Sequence, residues 1–172
     1  SQISAPRAET LIDLMFSPIK YQNSELIIRQ STEMGVRCLF PTLFNRTINT
    51  KINLDKFNTY AVGAAQQSGR LSIPNIDKLI DLKNRSSIIS EKTVLMFDEN
   101  LKGIHLSHAK IKPNSEILVI IGPEGGFEEE ERAFISDNSE NFYNVSLGPN
   151  ILKADTAVIA ALSLTFHYLY EN

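Results

Sequence analysis

Several features that would place a protein outside the cytoplasm, or around a metal ion, are missing from this sequence. Its single cysteine, Cys38, excludes an internal disulfide. The chain has no long apolar span and opens with no charged-then-apolar leader, so membrane insertion and secretion lack support and we expect a cytoplasmic protein. His105 and His108 form an HxxH spacing without a third ligand nearby, which favours an exposed loop over a metal site.

Internal divisions are missing as well, because no repeat, low-complexity tract or Ser/Gly linker interrupts the chain. Its 172 residues, 42% of them hydrophobic, can bury the core of one compact domain. The net charge of -3 hides an asymmetry, since residues 1–86 carry +4 and residues 87–172 carry -7. The first half could therefore present a surface to RNA, although unevenly solvated charge is the simpler explanation.

Hydrophobic periodicity predicts an α/β fold with a mainly parallel sheet flanked by helices. Apolar residues at helical spacing predict helices over residues 23–35 and 55–67. Short apolar runs of the kind found in strands covered on both faces predict strands at 36–40, 93–97, 116–121 and 142–147.

The segment 155–170 predicts a helix with apolar residues around most of its circumference. A helix with one buried face would show polar residues along the other. We therefore expect this helix to pack against its own sheet on one side and a second subunit on the other. The alternative is a central core helix of a monomer.

Two loops, Ile121–Phe127 (IGPEGGF) and Leu147–Leu152 (LGPNIL), hold four of the eight glycines, and each follows a predicted strand. Glycine allows a close approach of the main chain because it lacks Cβ. Since ligands of open α/β sheets bind beyond the carboxyl ends of strands, the two loops predict two walls of one pocket. Tight turns without a ligand are the alternative for each loop taken alone.

Four consecutive glutamates, Glu128 to Glu131, follow the first loop and favour a helix start there. The same charges would repel a phosphate, and the loop matches neither GxGxxG nor a P-loop. A ligand with a flat adenine, a ribose and a cationic centre suits such a pocket better, and S-adenosylmethionine has all three.

The motifs together resemble the RsmE family, ribosomal RNA uridine-N3 methyltransferases of the SPOUT class. The resemblance runs from about Lys20 to the C-terminus in family order, and it is carried by Ile121–Phe127, Leu147–Leu152 with Thr156, Gln67–Arg70 (QSGR) and Thr32–Val36. It implies a C-terminal deep trefoil knot, a homodimer and a uridine target in the small-subunit (16S) rRNA. The family's N-terminal PUA-like RNA-binding domain has no counterpart, so we expect residues 1–172 to form a single SPOUT domain.

By the same resemblance, S-adenosylmethionine would be bound by one residue set in three loops. Those residues are Phe97, Ile121, Gly122, Pro123, Glu124, Gly125, Gly126, Leu147, Gly148, Pro149, Asn150, Ile151, Leu152 and Thr156. Arg46 and Arg70 are candidates to stabilise the uracil anion, and together with Lys153 they are the predicted substrate-binding residues. Glu124 could accept the N3 proton or, alternatively, cap the amides of its own turn. No metal is expected.

Several positions depart from the family pattern. Asn150 and Lys153 stand where arginine is common, Asp155 where glutamate is common, and Gln66 where glutamate precedes the QSGR motif. Arginine and lysine differ where a planar fork is needed, so contact with RNA could change. Three hypotheses remain: an rRNA uridine-N3 methyltransferase, another SPOUT enzyme such as a tRNA ribose methyltransferase, and a cofactor-binding pseudoenzyme that contacts RNA.

Overall fold

A seven-stranded parallel sheet forms the centre of the molecule, for which a computed structural model describes residues 10–100 and 102–170. The strand order is β3-β2-β1-β6-β5-β7, with β4 paired to the end of β2. The strands are β1 Ile12–Phe16, β2 Cys38–Leu43, β3 Asn75–Ile76, β4 Ile80–Asp81, β5 Thr93–Phe97, β6 Ile117–Ile121 and β7 Asn141–Asn144. Every residue of β1, β5 and β6 is buried, as expected of central strands in such a sheet.

Helices cover both faces of the sheet. They are α1 Tyr21–Glu33, α2 Leu54–Ser68, α3 Ser86–Ser90, α4 Glu129–Asp137 and α5 Ala154–Tyr170. One core cluster joins α1, α2 and α5 to the face that holds Leu14 and Phe16, and a second joins α3 and α4 to the face that holds Met15. Among the described residues, no helix is long and apolar enough to cross a membrane.

The predicted helices are confirmed, and local chemistry sets their ends. Asn53 caps α2 by accepting a hydrogen bond from Lys56 N (3.0 Å), and Gly69 ends that helix in the left-handed region at φ 68°. Glu128 begins α4 through a reciprocal capping box with Glu131, so the acidic run does start a helix.

Two predicted strands are displaced. The strand expected at 36–40 is Cys38–Leu43, because Val36 N donates to Ser31 O (3.0 Å) and so belongs to the turn that ends α1. The strand expected at 142–147 is Asn141–Asn144, since the chain leaves β7 after residue 144. Strand β1 lies outside the predicted set altogether, because the charged Asp13 interrupts its apolar run.

The chain crosses itself closely just after β7. Val145 N donates to Met96 O (2.8 Å), whereas Ser146 N donates to Ile104 O and Ile104 N donates to Asn144 O (both 2.9 Å). Successive peptide groups of an extended segment point to opposite sides, so residues 144–146 pass between β5 and the loop that follows it. This placement accords with the predicted trefoil knot, which stays a prediction.

The C-terminal helix α5 follows this crossing and packs on α1 and the sheet. The Tyr168 hydroxyl donates to Ala109 O (2.8 Å), which joins the end of α5 to the loop that encloses residues 144–146. Leu164, Phe166 and Leu169 are only partly buried within the single chain. The predicted homodimer through this helix stays a prediction.

Candidate functional site

A cavity of about 500 Å³ opens at the carboxyl ends of β5, β6 and β7, a size usual for small-molecule sites. Its walls are three loops and the start of α5. The lining residues are Phe97, Asp98, Glu99, Lys102, Gly103, Ile121–Glu124, Gly126, Phe127, Val145–Leu152, Ala154 and Ala157. The two glycine loops therefore do form two walls of one pocket.

The first glycine loop is shaped by close packing. A Cβ on Gly122 would lie 2.7 Å from the buried ring of Phe127, so only glycine fits. Gly126 has φ 78°, and its N–H donates to Pro123 O (2.8 Å) to close the turn. The turn is thus closed by main chain, and the Glu124 side chain is exposed at the cavity wall.

The second glycine loop depends on main-chain conformation instead of packing. Gly148 has φ 99°, and no atom lies within 4 Å of the position a Cβ would take. Its N–H donates to Ser146 Oγ (3.1 Å). Asn150 and Ile151 are exposed at the mouth of the cavity, and Ile151 is 81% exposed. The loop thus lines the cavity with main chain and with the apolar residues Leu147, Ile151 and Leu152.

The third wall is the loop after β5. Asp98 is buried, accepts a hydrogen bond from Arg132 Nε (2.5 Å) on α4, and accepts another from Asn100 N (3.0 Å). Its charge is therefore matched within the protein. The exposed Glu99 and Lys102 also line the cavity. The wall is ordered by one ion pair and carries charge of both signs.

A shallower hollow adjoins the cavity and shares Glu99 and Phe127 with it. Arg46 lines this hollow, and its Nη1 donates to Gly125 O (2.7 Å) while its Nε lies 3.6 Å from Glu128 Oε1. The guanidinium therefore lies in the hollow, beside the first glycine loop. Acidic side chains from the start of α4 line the rest of the hollow together with Arg132.

The structure brings most of the predicted cofactor residues together. All of them line the cavity except Gly125, which faces Arg46 in the neighbouring hollow, and Thr156, which is exposed on the first turn of α5. Their roles as ligands stay predictions, as does the role of Glu124 as a base.

Two predicted substrate residues lie apart from Arg46. Arg70 Nη1 donates to Thr32 O (3.0 Å) at the end of α1, so Arg70 lies by the amino ends of the strands, opposite the cavity. Lys153 is exposed, and its carbonyl accepts the hydrogen bond of Ala157 N at the start of α5. Of the three, only Arg46 lines the hollow, and Lys153 lies between Leu152 and Ala154, which line the cavity.

Sequence reasoning named the loop after Phe97 but missed individual lining residues. These are Asp98, Glu99, Lys102, Gly103, Phe127, Val145, Ser146, Ala154 and Ala157. Gly103 was the one with a signal, because glycine allows a close approach of main chain, and a Cβ there would lie 2.4 Å from Ser146 N. His105 and His108 are exposed as expected, with His105 Nδ1 2.7 Å from Ser107 Oγ.

A parallel α/β sheet with a C-terminal segment threaded through an earlier loop, and a cavity at that crossing, defines the SPOUT class of methyltransferase fold. The A. aeolicus TrmH/SpoU tRNA modifying enzyme shares this fold with a TM-score of 0.58. Its chain is 15% identical, and the match covers 96% of this chain and 78% of that one, a likeness that shows the fold alone. The predicted fold class is confirmed.

A family profile described as an RNA methyltransferase domain matches residues 6–165, so the chain belongs to this family, in its RsmE branch. The ribosomal RNA small subunit methyltransferase E of Rickettsia conorii is 28% identical, over 94% of this chain and 66% of that protein. A Neisseria gonorrhoeae protein of the same description, solved bound to S-adenosyl methionine, is 27% identical with a TM-score of 0.80, over 92% of this chain and 66% of that one. The chain spans 59–66% of the length of the first three curated relatives.

Proposed function

We propose that this domain binds S-adenosylmethionine in the cavity and transfers the methyl group to N3 of a uridine in 16S ribosomal RNA. The observation that carries the proposal is the meeting of both glycine loops at one cavity of about 500 Å³. The Neisseria gonorrhoeae relative, described as bound to the same cofactor, supports it.

The lining fits this cofactor chemically. Gly122, Gly126 and Gly148 line the cavity, and main-chain groups of such loops can bind an adenine edge and a ribose. Glu99 and Glu124 add negative charge, which suits a sulfonium and disfavours phosphate. When bound, the cofactor supplies an electrophilic methyl group.

The protein's own contribution is positioning and charge stabilisation. A uracil placed in the hollow beside Arg46 would adjoin the cavity, since the two spaces share Glu99 and Phe127. As N3 loses its proton, negative charge spreads to the uracil oxygens, and the Arg46 guanidinium would offset it. Glu124 is the candidate proton acceptor because its side chain is exposed at the cavity wall.

The partners follow from this function. Small-subunit rRNA is the proposed substrate, and a second copy of the chain, packed through the partly buried apolar face of α5, is the proposed subunit partner. Residues 1–172 would act as a single catalytic domain. A cytoplasmic location accords with an rRNA substrate.

The test uses small ribosomal subunits that lack the modification, incubated with the protein and methyl-labelled S-adenosylmethionine. We expect calorimetric binding of the cofactor and label on N3 of one uridine. Label on a ribose or on tRNA would assign the domain to another SPOUT activity. Cofactor binding without transfer to any RNA would favour a pseudoenzyme. Asn150, exposed at the cavity mouth, is the residue that keeps this hypothesis open, because the family resemblance implies arginine at that position.

Arg46→Ala tests the proposed charge stabilisation. Removing one donor to a developing anion typically lowers kcat by roughly 100- to 1,000-fold, and we expect a loss of that order. The cofactor dissociation constant should change little, because Arg46 lies in the hollow and not in the cavity. Equal losses in turnover and in cofactor affinity would contradict the assigned role.

A further inference from the structure

Glu131 is a buried carboxylate with two main-chain partners in different parts of the chain. It is 5% exposed, in the first turn of α4. Its Oε2 accepts a hydrogen bond from Glu128 N (2.8 Å), which is the capping box, and its Oε1 accepts one from Asn45 N (2.7 Å). A capping box needs only the first bond, so the second calls for a different explanation.

The second bond holds the residue that precedes Arg46. The Asn45 side chain also donates to Glu128 Oε2 (2.7 Å). Both the main-chain N–H and the side-chain amide of Asn45 are therefore hydrogen-bonded to the start of α4. Arg46 itself donates to Gly125 O and lies 3.6 Å from Glu128 Oε1. The loop that carries Arg46 is therefore joined to the first glycine loop through α4.

The loop that carries Arg46 is also held by packing of aromatic side chains. Phe44 and Phe127 meet edge to face with ring centroids 5.4 Å apart, and both rings are buried. Thr47 Oγ1 accepts a hydrogen bond from Phe44 N (2.9 Å) and closes the turn that contains Arg46. Yet the Arg46 side chain is 50% exposed, so packing alone does not select one of its many rotamers.

We propose that Glu131 is a positioning residue, which holds Arg46 where a bound uracil would meet it. The inference rests on the function proposed for Arg46. A carboxylate is required because both of its partners are N–H donors, and burial of that charge is tolerated since both oxygens are hydrogen-bonded. Glutamine has the same shape but only one acceptor oxygen, so Glu131→Gln must lose one of the two bonds.

A double-mutant cycle tests the proposal, with kcat measured on unmodified small subunits and cofactor affinity by calorimetry. We expect Glu131→Gln to lower kcat about tenfold, which is the scale of one coupled contact. The cofactor dissociation constant should change less than about twofold. In the Arg46→Ala background, Glu131→Gln should have almost no further effect. A second tenfold loss there would show that Glu131 acts independently of Arg46 and would overturn the proposal.

The control is Glu140→Gln, the same chemical change at an exposed residue between α4 and β7, which should leave kcat unchanged. Should Glu131→Gln fail to fold, Glu131→Asp takes its place, because aspartate keeps the charge and is one methylene too short to reach both donors. The same coupling to Arg46→Ala is expected of it.

A second readout does not depend on catalysis. The Nε–H resonance of Arg46, assigned by its loss in Arg46→Ala, should shift or broaden in Glu131→Gln and stay unchanged in Glu140→Gln. If wild-type protein methylates no RNA, the proposed function fails. The spectrum still tests whether Glu131 holds Arg46 in place, because it does not depend on catalysis. An unchanged Arg46 resonance would overturn the positioning itself.

Discussion

The two edges of the sheet use charge in opposite ways. At the amino ends of the strands, the buried Asp13 accepts hydrogen bonds from Arg37 Nη2 (2.8 Å) and Cys38 N (3.1 Å), and Lys92 Nζ lies 3.1 Å from its Oδ2. Glu116 binds the same two cations, Arg37 at 2.8 Å and Lys92 at 2.6 Å. This cluster joins β1 to the starts of β2, β5 and β6, so charge there stabilises the sheet.

At the carboxyl ends, Asp98 is also buried and paired with Arg132, but other charges around the cavity are left accessible. Glu99 and Glu124 are exposed along the cavity, and Arg46 is half exposed beside it. The main chain of the two glycine loops lines the cavity, where the amino ends have a packed charge cluster. One edge of the sheet therefore uses charge for stability, and the other presents charge for binding. Substitutions at each edge test the two roles separately.

The largest effect is expected from Gly103→Ala, at the crossing beside the cavity. A Cβ there would lie 2.4 Å from Ser146 N and 2.6 Å from the carbonyl carbon of Val145. Both neighbours are main chain and cannot rotate away, so we expect a loss of at least about 4 kcal/mol or failure to fold. Urea unfolding and the yield of folded protein measure it. Gly63→Ala, whose Cβ would meet only the flexible end of Arg29 at 3.6 Å, is the matched control.

Next is Asp13→Ala, which breaks the cluster at the amino edge. Arg37 and Lys92 would each lose a buried partner, and removal of one member of a buried ion pair typically destabilises by about 3–5 kcal/mol. The free energy of unfolding should fall by that amount, while cofactor affinity of the remaining folded protein should not change. Glu33→Ala, an exposed acid at the end of α1, should stay within about 0.5 kcal/mol of wild type.

The difference between the edges also explains what the sequence could predict. The glycine loops and α5 could be predicted because each depends on a local sequence pattern. The loops have glycines after apolar runs, and α5 has apolar residues around most of its circumference. Strand β1 could not be predicted, because a charged Asp13 is unexpected in a buried strand. Its charge is balanced by Arg37 and Lys92, which are remote in sequence and come close only in the fold. Likewise, the acidic run predicted a helix start, but only the fold distinguishes Glu131 by its bond to Asn45.

The resemblance supplied residues without their geometry. It named Arg46 and Arg70 together, yet the chain places them at opposite edges of the sheet. It also named Gly125 as a cofactor residue, which stays a prediction; Gly125 lines the hollow, and a Cβ there would lie 3.2 Å from Arg46 Cδ. In a parallel sheet the edge that a loop reaches depends on whether it follows a strand, as the loop of Arg46 does, or a helix, as the loop of Arg70 does.

Gly148→Ala should have a smaller effect. Its φ of 99° is unfavourable for alanine, but a Cβ would meet nothing within 4 Å, so the penalty is conformational only and should be about 1–2 kcal/mol. Thermal unfolding of Gly148→Ala and Gly148→Asn separates conformation from packing, because asparagine tolerates positive φ better. Equal destabilisation by the two variants would argue that side-chain bulk matters at this position.

The smallest effect concerns the pH dependence of the amino edge. Hydrogen bonds from Arg37 and then Lys92 lower the pKa of Glu116 from 4.5 to about 2. A carboxylate with a depressed pKa stabilises the fold above its unfolded pKa, and that contribution is lost as the pH falls from 4.5 toward 2. Because the side chain is 42% exposed, solvent screening limits its contribution to about 1 kcal/mol.

Urea unfolding of wild type and Glu116→Gln at several pH values measures this contribution. The variant should be about 1 kcal/mol less stable at pH 7, and the difference should shrink below pH 4.5 as the wild-type carboxylate takes up a proton. Glu91→Gln, an exposed residue just after α3, should show no such convergence. A Glu116→Gln difference that stays constant down to pH 3 would mean that packing, and not ionisation, is what Glu116 supplies to this edge.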